Sequence, residues 1–305
     1  MLESGRVIKS TGSWYQVATA SGDTIACRLP GKFRLEGSED TNPVAVGDRI
    51  QFERMDDGAG QIREIDERTN TMIRQATHGR RGNQVLAANI DLGICVQSVK
   101  RPEFKTGFID RFLVTCDANQ IHGLIFINKM DLATDRDRAE LADLEALYTT
   151  LGYEWLTGSI TDEASIQALK ARISDETVMF MGPSGTGKSS LLNALAPGLR
   201  RDTNAVSDSS NKGKHTTTFA EMLALPDNGY VIDTPGVREF GIVDVDKPGL
   251  SNFFPEMKTR RESCKYYNCT HVHEPGCEVM RAYEEGLITA TRYSSYMNIL
   301  DSLSA

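Results

Sequence analysis

Eight residues, Gly182, Pro183, Ser184, Gly185, Thr186, Gly187, Lys188 and Ser189, satisfy the G-x-x-x-x-G-K-[ST] pattern of a phosphate-cradling loop, and Ser190 extends the candidate binding set by one. An apolar run from Val178 to Met181 precedes them and helix-like residues from Ser190 to Leu195 follow, which is the context such a loop requires. The glycines let backbone N–H groups curl around a phosphate, and the N-terminus of the following helix adds partial positive charge. Lys188 is then in line for the β- and γ-phosphates and the Ser189 hydroxyl for Mg²⁺.

A P-loop specifies a nucleoside triphosphate and leaves the base open. Asn128, Lys129, Met130 and Asp131 form an N-K-x-D turn directly after the apolar run Leu124 to Ile127. A carboxylate at Asp131 can accept from both the ring N–H and the exocyclic amine of guanine, an arrangement that adenine does not offer. The Asn128 amide can serve the other edge of the base, and the Lys129 stem can lie along its plane. Asp233 to Gly236 reads D-x-x-G after the apolar run Tyr230 to Ile232. There Asp233 can hold a Mg²⁺-bound water and the Gly236 N–H can reach the γ-phosphate. Between the P-loop and this motif lies the threonine-rich loop 212–218. One of Thr216, Thr217 and Thr218 can complete the Mg²⁺ shell, and Thr217 is the one assigned. GTP or GDP with Mg²⁺ is the expected cofactor set. A P-loop kinase or general ATPase is the rival that Asn128 and Asp131 argue against.

The motif order is unusual. GTPases ordinarily run P-loop, threonine loop, D-x-x-G and then N-K-x-D, whereas here N-K-x-D stands at 128 and the P-loop at 182. The spacing therefore predicts a circularly permuted domain, cut between D-x-x-G and N-K-x-D, in which the strand Ile90 to Val96 is the one that normally follows D-x-x-G. It also carries the segment after Gly236 straight into the C-terminal region, so that nucleotide state can be transmitted there through the backbone. In-line attack by water is usually guided by a Gln after D-x-x-G. Val237 stands there and cannot hydrogen-bond a water, so slow intrinsic turnover is expected, with His215 as the best internal replacement.

A second cluster is metal chemistry. Cys264, Cys269 and Cys277 crowd into fourteen residues with His271 among them, a sufficient set for one tetrahedral structural zinc. His273 is a rival ligand two residues away. A closed four-ligand site leaves no position for a substrate water, so its role would be to hold the fold together. Cys27, Cys95 and Cys116 lie among apolar residues and read as small buried hydrophobes. No secretory signal precedes the cysteines, and a reducing cytoplasm is expected.

These motifs need elements to position them. Residues 1–70 read as five short strands separated by turns, hence a small closed barrel, OB-fold or SH3-like, with the OB-fold adopted. Residues 71–245 alternate apolar strands with helical patterns, which implies a mostly parallel sheet with helices on both faces. Residues 246–305 are polar and cysteine-bearing and end in two helices broken at Gly286. Arg68 to Arg81 carries four arginines and a histidine with no acid, and reads either as a solvated linker or as a phosphate-contacting segment.

Together these motifs resemble the RsgA/YjeQ family of circularly permuted, ribosome-dependent GTPases, along nearly the whole chain. The resemblance implies that Ser159 lies in the base-side loop, although the next residue, Ile160, departs from the usual Ala. It places the histidine ligand of the metal at His271 and points again to His215 in hydrolysis. The implied partner is the small ribosomal subunit late in assembly, bound in the GTP form and released on hydrolysis. Two readings stand beside it: an RNA-binding assembly factor in which hydrolysis is dispensable, and a GTPase regulating a non-ribosomal target. Net charge of −8 over 305 residues excludes a uniformly basic binder, not an RNA-binding one. The Arg68–Arg81 segment and Lys258, Arg260, Arg261 and Lys265 are the basic regions suited to rRNA. No run approaches the roughly 20 apolar residues of a membrane span, so no membrane partner is expected, and a monomer is the default.

Overall fold

The computed structural model describes residues 2–30, 43–74, 84–197, 220–226, 228–233, 242 and 245–303. Its first five strands are β1 (Leu2–Ser10), β2 (Trp14–Thr19), β3 (Thr24–Arg28), β4 (Arg49–Arg54) and β5 (Gly60–Ile65). Alternating burial along β2 to β4 turns one side chain in two toward a core of Val7, Tyr15, Val17, Ile25, Ile50, Phe52 and Ile62. They pair in the order β1-β2-β3-β5-β4, with β3 parallel to β5 and β4 returning to β1. This closure, with one parallel pair, is the Greek-key barrel of the OB-fold, so pairing order decides what strand pattern left open.

The region between barrel and sheet is tied down. Arg68 forms a two-pronged ion pair with the buried carboxylate of Asp48, at 2.7 and 2.8 Å, and so is not available to a phosphate. Thr71–Arg74 (β6) then pairs with Gln84–Ala88 (β7), so the stretch read as a linker begins as a hairpin strand; its remainder, 75–81, lies outside the described residues. Asn89, buried and at φ +56°, donates to the Gly47 carbonyl and accepts from the Thr69 N–H.

The central sheet contains β8 (Leu92–Ser98), β9 (His122–Asn128), β10 (Glu154–Thr157), β11 (Thr177–Met181), β12 (Glu221–Ala224) and β13 (Tyr230–Asp233). Their order is β10-β9-β8-β11-β13-β12, all parallel except β12 against β13. β8 and β11 are buried throughout, as central parallel strands must be when helices cover both faces. α1 (Thr106–Ala118) and α2 (Asp135–Thr150) cover one face, while α3 (Glu163–Arg172) and α4 (Lys188–Leu195) cover the other. A reciprocal capping box between Thr134 and Asp137 starts α2. β8, the strand expected to follow D-x-x-G in the ordinary order, sits between the P-loop strand β11 and the N-K-x-D strand β9. The barrel joins this sheet through one β1–β12 residue pair, Lys9 with Glu221, whose side chains form an ion pair at 3.0 Å.

The C-terminal part contains α5 (Pro255–Arg261), α6 (Glu278–Glu284) and α7 (Ala290–Ser302) around Leu250, Phe254, Met257, Val279, Tyr296 and Ile299. Val114 of α1 and Ile242 join this core. Arg292 of α7 is 1% exposed and reaches Asp110 of α1 at 2.6 Å and both Glu256 oxygens at 2.7 and 3.1 Å. Tyr148 of α2 donates to the same Asp110 oxygen at 2.7 Å. Burial opposes the charge on Arg292, but Asp110 and Glu256 more than offset it and hold its pKa above the ordinary value. No helix among the described residues is long and apolar enough to cross a membrane.

Removing one partner of a buried ion pair strands the other charge in low dielectric. Arg292→Ala should therefore lower the free energy of unfolding by about 3–5 kcal/mol, read by denaturant titration.

Candidate functional site

The P-loop follows β11, the N-K-M-D turn follows β9 and Asp233 ends β13, so three motifs distant in sequence meet at one edge of the sheet. This is the carboxyl edge, where open parallel sheets bind ligands. Asn128 is buried, and its Nδ2 donates to the Thr186 carbonyl of the P-loop at 2.9 Å while its Oδ1 accepts from the Lys129 N–H at 2.8 Å. Lys129 stands at φ +61° and its Nζ donates to the carbonyls of Arg101 at 2.7 Å and Gly185 at 2.6 Å. One asparagine and one lysine thus pin the turn to the phosphate loop. Met130 lies at the back, its N–H donating to the Gly158 carbonyl at 3.1 Å. Asp131 is exposed, and the Ser159 hydroxyl donates to its Oδ1, with Thr161 Oγ1 at 2.8 Å from the same hydroxyl. The carboxylate is thereby oriented with its remaining acceptor capacity toward solvent.

Within the loop, Thr186 is buried and its hydroxyl donates to the Pro183 carbonyl at 3.0 Å, while Ser184 and Gly185 face solvent. Gly187 stands at φ +93° as the N-cap of α4, and a Cβ there would lie 2.4 Å from Asn128 Nδ2. Glycine is required at this position both by the backbone and by the docking of the two loops. Lys188 Nζ folds onto the carbonyls of Gly182 at 2.6 Å and Pro183 at 2.8 Å. Burial pulls its pKa down to about 8, partly opposed by the Asp233 carboxylate. An ammonium so desolvated gains most from an anion placed beside it. Ser189 and Ser190 open α4, half-buried behind Lys188. Thr217, His215 and Gly236, together with Val237, lie outside the described residues.

Sulfur and nitrogen atoms of Cys264, Cys269, His271 and Cys277 lie within 4.8 Å of one another. His271 Nδ1 is 3.3 Å from Cys277 Sγ and 3.6 Å from Cys264 Sγ, and its Nε2 is 3.0 Å from Ser251 Oγ. The ring is thus oriented with one nitrogen inward and the other held by a hydroxyl, as metal-ligating histidines are. Burial pushes the His271 imidazole down to about 4, which keeps it neutral and able to ligate. Burial opposes ionisation of Glu274, yet hydrogen bonds from Thr270 and Val272 hold its carboxyl well below the usual range, and together with the His273 N–H they fix the loop around His271. Cys277 Sγ also accepts from the Met280 N–H and so caps α6. Soft thiolate and imidazole donors in this number fit a tetrahedral divalent metal. His273 is exposed and takes no part. Cys27, Cys95 and Cys116 are buried and apart from the cluster.

Sequence reasoning missed Ser251 and Thr161, which act through hydrogen bonds to a site residue and carry no motif. It also missed that Asn128 contacts the P-loop, a contact created only by the order of the strands.

A phosphate loop and a guanine-type turn docked on the carboxyl edge of a parallel sheet, with the turn preceding the loop in the chain, define a circularly permuted P-loop GTPase. The chain belongs to the RsgA GTPase family, whose profile covers residues 65–243, and the RsgA N-terminal domain profile covers 4–62. It is accordingly a GTP hydrolase, and the family implies guanine nucleotide and Mg²⁺. The small ribosomal subunit biogenesis GTPase RsgA of Bacteroides fragilis is 43% identical over 297 residues, 97% of this chain and 96% of that protein. The protein of that name from Christiangramia forsetii is 41% identical, covering 97% and 95% of the two chains. Among solved structures, YjeQ of Thermotoga maritima superposes with a TM-score of 0.80 at 33% identity over 99% of both chains. YloQ, a circularly permuted GTPase, gives 0.76 at 30% identity over 99% of this chain and 94% of that one.

Gly187→Ala should separate the two loops. Guanine-nucleotide affinity, read by calorimetry, is expected to fall at least tenfold while far-ultraviolet circular dichroism stays unchanged.

Proposed function

We propose that this chain acts in the biogenesis of the small ribosomal subunit, binding the subunit in its GTP form and leaving when GTP is hydrolysed to GDP and phosphate. The observation that carries the reading is the Asn128 amide bound to the P-loop, which turns separate phosphate and base motifs into one guanine-nucleotide site. The relatives that match 97% of the chain bear the name of small ribosomal subunit biogenesis GTPases, which supplies the target.

In this reading the N–H groups of residues 182–190 surround the phosphates, with Lys188 answering the β- and γ-phosphates. Asp131, oriented by Ser159, reads the guanine donors, Lys129 flanks the base, and Met130 and Asn128 hold the turn. Ser189 and Thr217 would ligate Mg²⁺, which supplies charge neutralisation at the β- and γ-phosphates when bound. Asp233 would hold a water on that ion, and the Gly236 N–H would meet the γ-phosphate. His215 is assigned the role of orienting the attacking water. Cys264, Cys269, His271 and Cys277 would hold one Zn²⁺, which supplies folding free energy to the C-terminal part. The three units are assigned to 1–70, 71–245 and 246–305, working as a cytoplasmic monomer on rRNA.

Small subunits incubated with the protein and a non-hydrolysable GTP analogue should retain it on sedimentation, and GDP should release it. Equal retention with both nucleotides would sink the reading.

Base specificity has its own check. Asp131→Asn replaces an acceptor with a donor, so GTP affinity should drop at least 100-fold while xanthosine triphosphate, with a carbonyl where guanine has an amine, becomes the better ligand. Cys269→Ser should lower metal content, read by atomic absorption, from one zinc per chain to a small fraction.

A further inference from the structure

The loop between Cys264 and Cys269 carries a surface that the GTPase site does not use. Tyr267 is 98% exposed and its neighbour Tyr266 is 41% exposed. Their loop is held at both ends: Cys264 and Cys269 converge in the thiol cluster, the Lys265 N–H donates to the Gly276 carbonyl, and the Cys269 N–H donates to the Tyr266 carbonyl. Lys265 Nζ lies 5.4 Å from the centroid of the Tyr266 ring. Residues 257–268 hold four cations, Lys258, Arg260, Arg261 and Lys265, against one acid, Glu262, in a chain whose net charge is −8. Among the described residues none of the four cations is paired with a carboxylate. Arg260 donates to the Glu256 carbonyl, and Arg261 to the Asn252 side chain and the Pro248 carbonyl.

A bare aromatic ring on an anchored loop, with positive charge beside it, has one natural complement: an unpaired nucleotide, whose base stacks on the ring while its phosphate meets the cations. A paired helix would offer phosphates but no free base face. We propose that Tyr267, on the same anchored loop as Lys265, is a stacking platform for an unpaired base of RNA. This rests on the reading that the chain's partner is ribosomal RNA and adds to it the kind of nucleotide, unstacked and single-stranded, that the C-terminal part engages. Because Tyr267 is almost wholly exposed, its truncation leaves the fold in place and its effect is read on binding alone.

The test uses the full-length protein, a fluorescent 12-nucleotide uridine RNA and a 12-base-pair RNA duplex, titrated at several salt concentrations. Tyr267→Ala should weaken the single strand roughly tenfold and leave the duplex within about twofold. Tyr267→Phe should bind as the wild type does. Lys265→Gln should reduce the slope of log affinity against log salt for the single strand by about 0.7. Unchanged single-strand affinity in Tyr267→Ala would overturn the proposal. So would an equal loss on single strand and duplex, or a wild type that does not bind the single strand. Sedimentation with small subunits in parallel keeps the two readings apart. A wild type that fails to sediment but shows the Tyr267 effect on uridine RNA removes the ribosomal target and keeps the platform, whereas the reverse pattern removes only the platform.

Discussion

The hydrogen bond from Asn128 Nδ2 to the Thr186 carbonyl is the constraint on which the site depends. It joins the end of β9 to the loop after β11, two strands with β8 lying between them. A buried amide makes this bond at no competition from water and would be costly to leave unpaired. Gly187 exists in its conformation to admit that amide, and Lys129 repeats the link from the rim by reaching the Gly185 carbonyl. In the proposed reading, base recognition and phosphate binding therefore share one geometry. A nucleotide that fits one half meets the other already in place, which lowers the ordering cost of binding.

Permutation leaves this geometry intact because a sheet is defined by which strands pair, not by where the chain is cut. β8, β9 and β10 come early in the sequence yet take their places beside β11 as parallel neighbours. What permutation changes is the sequel. The chain leaves β13 at Asp233 and enters the C-terminal part, where Ile242 is already packed in its core. The sheet that holds the nucleotide and the unit that holds the thiol cluster are also joined side by side through Val114 of α1.

Much of this was legible in the sequence because strong local chemistry dictates it. The P-loop glycines between an apolar run and a helical run, the N-K-x-D turn joined to them and the Cys–His cluster each point to a chemistry, and alternation along Arg49 to Glu53 points to a strand. What could not be read depends on partners far along the chain. OB-fold and SH3-like barrels share strand patterns and differ in pairing, here the parallel β3–β5 contact. Arg68 carried the same residue type as a phosphate binder, and only the fold shows that Asp48 claims it. The short α5, opened by Pro255, has too few turns to show a period against the polar residues around it. The residues alone leave His273 as a rival and the family resemblance chooses His271; in the fold His271, at φ +59°, is buried and His273 is exposed.

The ion network around Arg292 bears on the order of events during synthesis. Asp110 leaves the ribosome 182 residues before the arginine that neutralises it, and α1 carries it on a face destined for the interior. Until α7 has emerged, Asp110 has no arginine to meet it and Val114 lacks the apolar packing supplied by Tyr296 and Ile299. The sheet can thus be hydrogen-bonded and folded in outline before α7 is made, yet its helical flank is sealed only when α7 has emerged. The moment at which this flank closes is dictated by where along the gene one arginine is encoded.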